Sequence, residues 1–214
     1  MDAIDIRNQI STTVFTHDTL AAVLEPHIKN INEKIMRMVK KEELVRIKRG
    51  LYCMGSKYRM QEPNHISVAN VLYSPSYVSF EYALSYYGMI PERVDEITSA
   101  TLKHPKLYTT PIGRYSYRKI YESAYAIGVD WHYNDIDGGR LIATPEKALC
   151  DTIRYDRGIG RMGQEEMNNY LDYDLRIDGI EKLDAELIRL ISIAYRSHNL
   201  RTLASIVAKR KLHG

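Results

Sequence analysis

The residues of this chain best equipped for chemistry are cations and amides gathered in one short stretch. Between residues 28 and 60 stand ten lysines and arginines against three glutamates, whereas residues 61 to 214 carry nineteen against twenty acids. On a chain whose formal net charge is only +3, such a patch is the footprint expected where a phosphate backbone docks; a solvated helix face also produces such runs. Asn30, Glu33, Lys34 and Arg37 recur at helical spacing, with Lys29, Lys40 and Lys41 around them. Arginine can bind guanine through two hydrogen bonds, asparagine can bind adenine likewise, glutamate accepts from cytosine, and lysines hold phosphates. Asn30, Glu33, Lys34 and Arg37 are therefore expected to read base edges, with Lys29, Lys40 and Lys41 on the backbone. Taken alone, the same face also fits an ordinary amphipathic surface helix.

The elements needed to position these groups are legible around them. Ile28, Ile31, Ile35, Met38 and Val39 recur every three or four residues and mark the buried stripe of the basic helix. A shorter helix from Thr16 to Leu24 precedes it, with Thr16 as cap, Asp18 in the first turn and Pro26 as terminator, and Ile4, Ile6 and Ile10 suggest a further helix at the start. After the basic helix, Leu44 to Tyr52 alternates apolar and basic residues like a half-buried strand and meets Gly50. Val45 and Ile47 are expected to face the helices, with Arg46, Lys48 and Arg49 turned outward toward phosphates. Helix, turn, basic helix and basic strand agree on a winged helix-turn-helix DNA-binding domain over residues 1–60. A winged helix used only for protein contacts shares these signals.

Gly55, Ser56 and Pro63 punctuate the chain where the charge shifts, which sets the boundary of a second unit, residues 61–214. A helix is expected through Ile66, Ala69 and Leu72, and another, capped by Ser79, from Phe80 to Gly88. Tyr108–Thr110, Arg114–Arg118 and Arg140–Ile142 read as strands, and Thr144-Pro145-Glu146-Lys147 starts a helix with structural roles. Helices through Leu183–Ala194 and Leu203–Val207 close the chain. The fold class is α+β: a winged helix-turn-helix followed by a mixed α+β domain with a helical C-terminal end. Arg196, Arg201, Lys209, Arg210 and Lys211 make that end basic; a frayed, solvated helix is preferred over a second DNA contact or a dock for an acidic partner.

Other chemistries fit less well. Gly158-Ile159-Gly160-Arg161-Met162-Gly163 has dinucleotide-loop spacing but follows a helix where that site needs a strand. Asp135 and Asp137 could pair on a metal as in a nucleotidyl transferase, yet Gly55-Ser56 is too distant to hold the phosphates, and a solvated turn is preferred. Seven scattered histidines and the lone Cys53 and Cys150 form no zinc, disulfide or hydrolytic pattern. No catalytic residue, cofactor or metal is expected. Tyr82, Tyr86, Tyr87, Tyr115 and Tyr117 could line a ligand pocket, as in a ligand-responsive regulator, but core packing is the preferred role. No apolar run approaches membrane-spanning length and the start lacks a signal peptide's basic residues, so the cytoplasm is expected.

Three stretches carry a family resemblance: Val45-Arg46-Ile47-Lys48-Arg49-Gly50-Leu51-Tyr52, Tyr77-Val78-Ser79-Phe80-Glu81-Tyr82-Ala83-Leu84 with Tyr87-Gly88, and Ala143-Thr144-Pro145-Glu146-Lys147-Ala148-Leu149-Cys150-Asp151. In this order behind a winged helix, they resemble the AbiEi family of transcriptional regulators, the antitoxins of type IV abortive-infection toxin-antitoxin systems. The resemblance spans most of the chain. It implies that the N-terminal domain represses its own operon at inverted repeats, while the C-terminal domain counters a nucleotidyltransferase toxin without a stable complex.

Overall fold

The computed structural model describes residues 1–134 and 138–213, and the chain is mixed α+β. Its first elements are α1 (Ala3–Gln9), β1 (Val14–Thr16), α2 (His17–Leu24), α3 (Ile31–Lys40), β2 (Leu44–Lys48) and β3 (Leu51–Met54). The strands form an antiparallel sheet in the order β1-β3-β2. Local chemistry sets the helix starts. Asp2 accepts from the Ile4 and Asp5 amides while Asp5 reaches back to the Asp2 amide, a reciprocal cap. Thr16 Oγ1 accepts from the Thr19 amide, and Asn30 Oδ1 from the Glu33 amide. That second cap corrects the expected start of the basic helix. Ile28 lies instead in the preceding turn, where its amide donates to the Leu24 carbonyl.

The first sheet is a shared wall. Along β3, Tyr52 and Met54 pack with Ile6, Leu20, Leu24, Ile35 and Met38 of the three helices. Leu51 and Cys53, on the other face, join Ile47 in the large core that also contains Ile66, Tyr77, Leu149 and Leu203. Val45 packs against that same core. The expectation that Val45 and Ile47 face the helices is thus reversed, because a second hydrophobic surface covers the outer side of the hairpin. Burial of each such side chain stabilises the fold by roughly 1.5–3 kcal/mol.

Gly55 closes this unit at very short range. Its amide donates to the Glu43 carbonyl at 2.9 Å, and an added Cβ would stand 1.8 Å from the Glu42 carbonyl oxygen. Glu42 itself has a positive φ of 58°, so the turn has little room to relax. Gly55→Ala is expected to lower stability by about 3 kcal/mol, read as a denaturant midpoint at unchanged slope. A midpoint equal to the parent's would mean that the turn after α3 yields freely.

The remainder is built on a six-stranded mixed sheet in the order β6-β7-β5-β4-β9-β8. Its strands are β4 (Ser76–Val78), β5 (Ile97–Thr101), β6 (Lys106–Thr110), β7 (Gly113–Lys119), β8 (Val129–Asn134) and β9 (Gly138–Ala143). The central strand β4 runs antiparallel to β5 and parallel to β9. The helices are α4 (His65–Leu72), α5 (Phe80–Tyr86), α6 (Glu122–Tyr125), α7 (Pro145–Tyr155), α8 (Gln164–Asn169), α9 (Ala185–Ala194) and α10 (His198–His213). α9 begins two residues after Leu183, because Asp184 accepts from the Glu186 and Leu187 amides as its cap.

The basic C-terminal end is packed, where a frayed helix is the sequence expectation. Leu200, Leu203, Ile206 and Val207 of α10 are buried, and Arg210 pairs with Asp172 at 2.9 Å. Lys209 also donates to Gln164 Oε1 at 2.6 Å. Among the described residues no helix is long and apolar enough to cross a membrane.

Candidate nucleic-acid interface

α2 and α3 are separated by residues 25–30, and Asn32 on α3 is tied to His17 at the start of α2 by an Oδ1 to Nε2 contact of 2.9 Å. The amphipathic spacing of α3 turns Ile35 and Met38 into the core and leaves Glu33, Met36, Arg37 and Lys40 exposed. Arg37 Nη2 donates to Glu33 Oε1 at 2.6 Å, and Asn30 Nδ2 donates to Glu33 Oε2 at 3.1 Å. Three of the four expected base readers therefore form one chain along the first two turns. With side chains 65% and 55% exposed, the Arg37–Glu33 pair contributes only about 0.3–0.5 kcal/mol. Such a pair orients the guanidinium without preventing its exchange onto a base edge.

Lys34 stands apart from the other three. It is half-buried and close enough to Asp2 to help lower that carboxyl's pKa, behind the stronger influence of the Asp5 amide. Its position is beside α1 rather than on the Glu33–Arg37 face. Met36 was not singled out by sequence, although it is 73% exposed and falls one turn after Glu33. An apolar side chain there suits a thymine methyl. Its helical offset from Glu33 and Lys40 was the available signal. Lys29, Lys40 and Lys41 are exposed.

In the hairpin, Arg46 and Arg49 are exposed, but Lys48 is turned away. A β-bulge sets the segment from Arg46 to Lys48 against the single step from Tyr52 to Leu51, which reverses the facing expected from simple alternation. Lys48 Nζ donates to the carbonyl of Leu72, the last residue of α4, at 2.5 Å, where a cation also meets the negative helix end. Burial, then the nearby Lys106 and Lys103, push its pKa down.

Two of the stretches behind the family resemblance meet elsewhere, in the interior. Asp151 and Lys147, one turn apart on α7, are fully buried with Nζ and Oδ1 2.8 Å apart. Tyr195 donates to Asp151 Oδ1 at 2.6 Å, while Ser79 Oγ and Tyr77 OH donate to Oδ2 at 2.7 and 2.9 Å. Lys147 also donates to the Tyr195 oxygen at 3.2 Å. Burial and the adjoining Asp151 charge hold the Tyr77 and Tyr195 hydroxyls protonated, far above the usual phenol range. Ser79 precedes α5 as expected but makes no side-chain cap bond, since its hydroxyl serves Asp151.

The remaining candidate chemistries map to ordinary positions. Gly158–Gly163 lies in the loop between α7 and α8 rather than after a strand. Tyr115 and Tyr117 are buried with their hydroxyls bonded to His65 Nδ1 and the Ala69 carbonyl; Tyr82 and Tyr87 are half-buried and Tyr86 exposed. Asp135 and Asp137 lie outside the described residues. Among the described residues no group of three or more histidines, cysteines or acids could hold a metal. Cys53 and Cys150 are free and buried, and burial raises the Cys53 thiol to about 11. No family model matches the chain, and no curated protein matches it in sequence.

Proposed function

We propose that the chain is a sequence-specific, double-stranded-DNA-binding regulator whose first sixty residues act as a winged helix-turn-helix. The observation that carries this reading is the exposed face of α3, where Asn30, Glu33, Arg37 and Lys40 stand opposite the buried Ile35 and Met38. α3 is the groove helix of the proposal, and Asn30, Arg37 and Met36 meet base edges. Lys29, Lys40 and Lys41, with Arg46 and Arg49 on the hairpin, take phosphates. Lys48 is excluded from this role by its bond to α4, and Lys34 contributes only at the margin.

Within this class we place the chain among the type IV antitoxins, as an autorepressor that counters a nucleotidyltransferase toxin in the cytoplasm without forming a stable complex and has no enzymatic activity of its own. Support comes from the resemblance of the three stretches, and from the convergence of two of them on the Asp151 network. The test is electrophoretic mobility of the chain's own promoter against a scrambled fragment of equal length. Preferential shifts, weakening about 500-fold between about 50 and 200 mM salt as five phosphate contacts at about 0.9 each imply, are the expected result. Equal affinity for both fragments would overturn the regulator. A neighbouring gene product that is not a nucleotidyltransferase, or whose toxicity the chain fails to suppress on co-expression, would overturn the antitoxin assignment alone.

A further inference from the structure

A cleft of about 670 Å³ opens in the second unit where the end of β7 meets the end of α7, a size typical of small-molecule sites. Its cations are Lys119, Arg154 and Arg157, and among the described residues none of the three has a carboxylate within ion-pair distance. The two acids at the cleft are otherwise engaged. Asp151 is taken by Lys147, Ser79 and the two tyrosines, and Asp156 accepts from Tyr170 OH and the Gly158 amide, both at 2.8 Å. The neutral donors on Asp156 leave its charge in place, so three cations face one unneutralised carboxylate and the cleft is net positive.

One of these cations is held in a fixed orientation. Arg154 Nη2 donates to Tyr121 OH at 2.8 Å and its guanidinium lies 4.9 Å from the Tyr121 ring centre. An arginine fixed on an aromatic face loses less freedom when its remaining N–H groups take a tetrahedral or planar oxyanion. Ile120 and Ile159 add apolar wall, which suits the organic body of a ligand rather than a bare anion. From the unpaired cations, the propped guanidinium and the apolar wall together, we infer that this cleft binds a small organic phosphate, of the nucleotide size class. Nothing in the proposed DNA contact uses these residues, so the site stands or falls separately.

The experiment is isothermal titration of the full chain with ADP, with AMP, and with inorganic pyrophosphate, repeated on Arg154→Gln and Arg157→Gln. Saturable binding of at least one nucleotide, tighter than pyrophosphate and weakened about tenfold or more by either substitution, is the expected result. Arg157 is exposed, so its variant keeps the site testable should Arg154→Gln fail to fold. Three results would overturn the inference. They are no saturable heat from any probe at millimolar concentration, pyrophosphate binding as tightly as the nucleotides, and nucleotide binding lost on Arg37→Ala but retained in both cleft variants.

Discussion

Asp151→Ala is expected to cost about 3–5 kcal/mol of stability, the range for breaking a buried ion pair from one side. The reason is what stays behind. The Lys147 ammonium, fully buried beside Asp151, would keep the Tyr195 oxygen and the ring faces of Tyr77 and Tyr195 but no opposite charge. The Tyr77, Ser79 and Tyr195 hydroxyls would lose their shared acceptor. For a chain of this length the loss corresponds to a fall in melting temperature on the order of 10 °C. Removing both charges with Lys147→Met and Asp151→Leu is expected to recover the part of the loss due to the unpaired ammonium, but not the part due to the three hydroxyls, which still lack their acceptor. Denaturant titration of the singles and the double gives the coupling energy directly. A loss below about 1 kcal/mol in Asp151→Ala would contradict the buried network.

That network shows where sequence reasoning stops. Lys147 and Asp151 at a four-residue spacing look like an exposed helix pair, and only Ala148, Leu149 and Ile153 around them hint at burial. Tyr77, Ser79 and Tyr195 reach Asp151 from 44 to 74 residues away, a convergence no local pattern encodes. β4 and β5 were also missed. Every residue of both is buried, so they lack the alternation of a half-exposed strand. The cap at Thr16 and the strands β6, β7 and β9 were legible because their signals are local: a side-chain oxygen before a helix, or alternating and β-branched residues. Lys48 failed for the opposite reason, since one bulge overrides the two-residue period on which its facing was inferred.

The same bulge separates the outcomes of substitutions at the proposed DNA face. Arg37→Ala is expected to weaken promoter binding by about 1–3 kcal/mol and to relax selectivity at one base pair, the signature of a lost guanidinium–guanine contact. Its present partner, Glu33, holds it by an exposed pair of small net value, so the guanidinium is available at little cost. Alanine at Lys40, Lys41, Arg46 and Arg49 together is expected to reduce affinity for promoter and scrambled DNA alike. Four lost phosphate contacts would flatten the dependence of log K on log salt by roughly 3.6, at about 0.9 per contact. Lys48→Ala is expected to leave that slope unchanged while lowering stability, since its ammonium is engaged at the end of α4. Binding measured across a salt series for all three variants decides the matter. An unchanged slope in the fourfold variant would remove the hairpin and the end of α3 from the interface, and a slope reduced by Lys48→Ala would mean that this lysine leaves the Leu72 carbonyl for phosphate when DNA is bound.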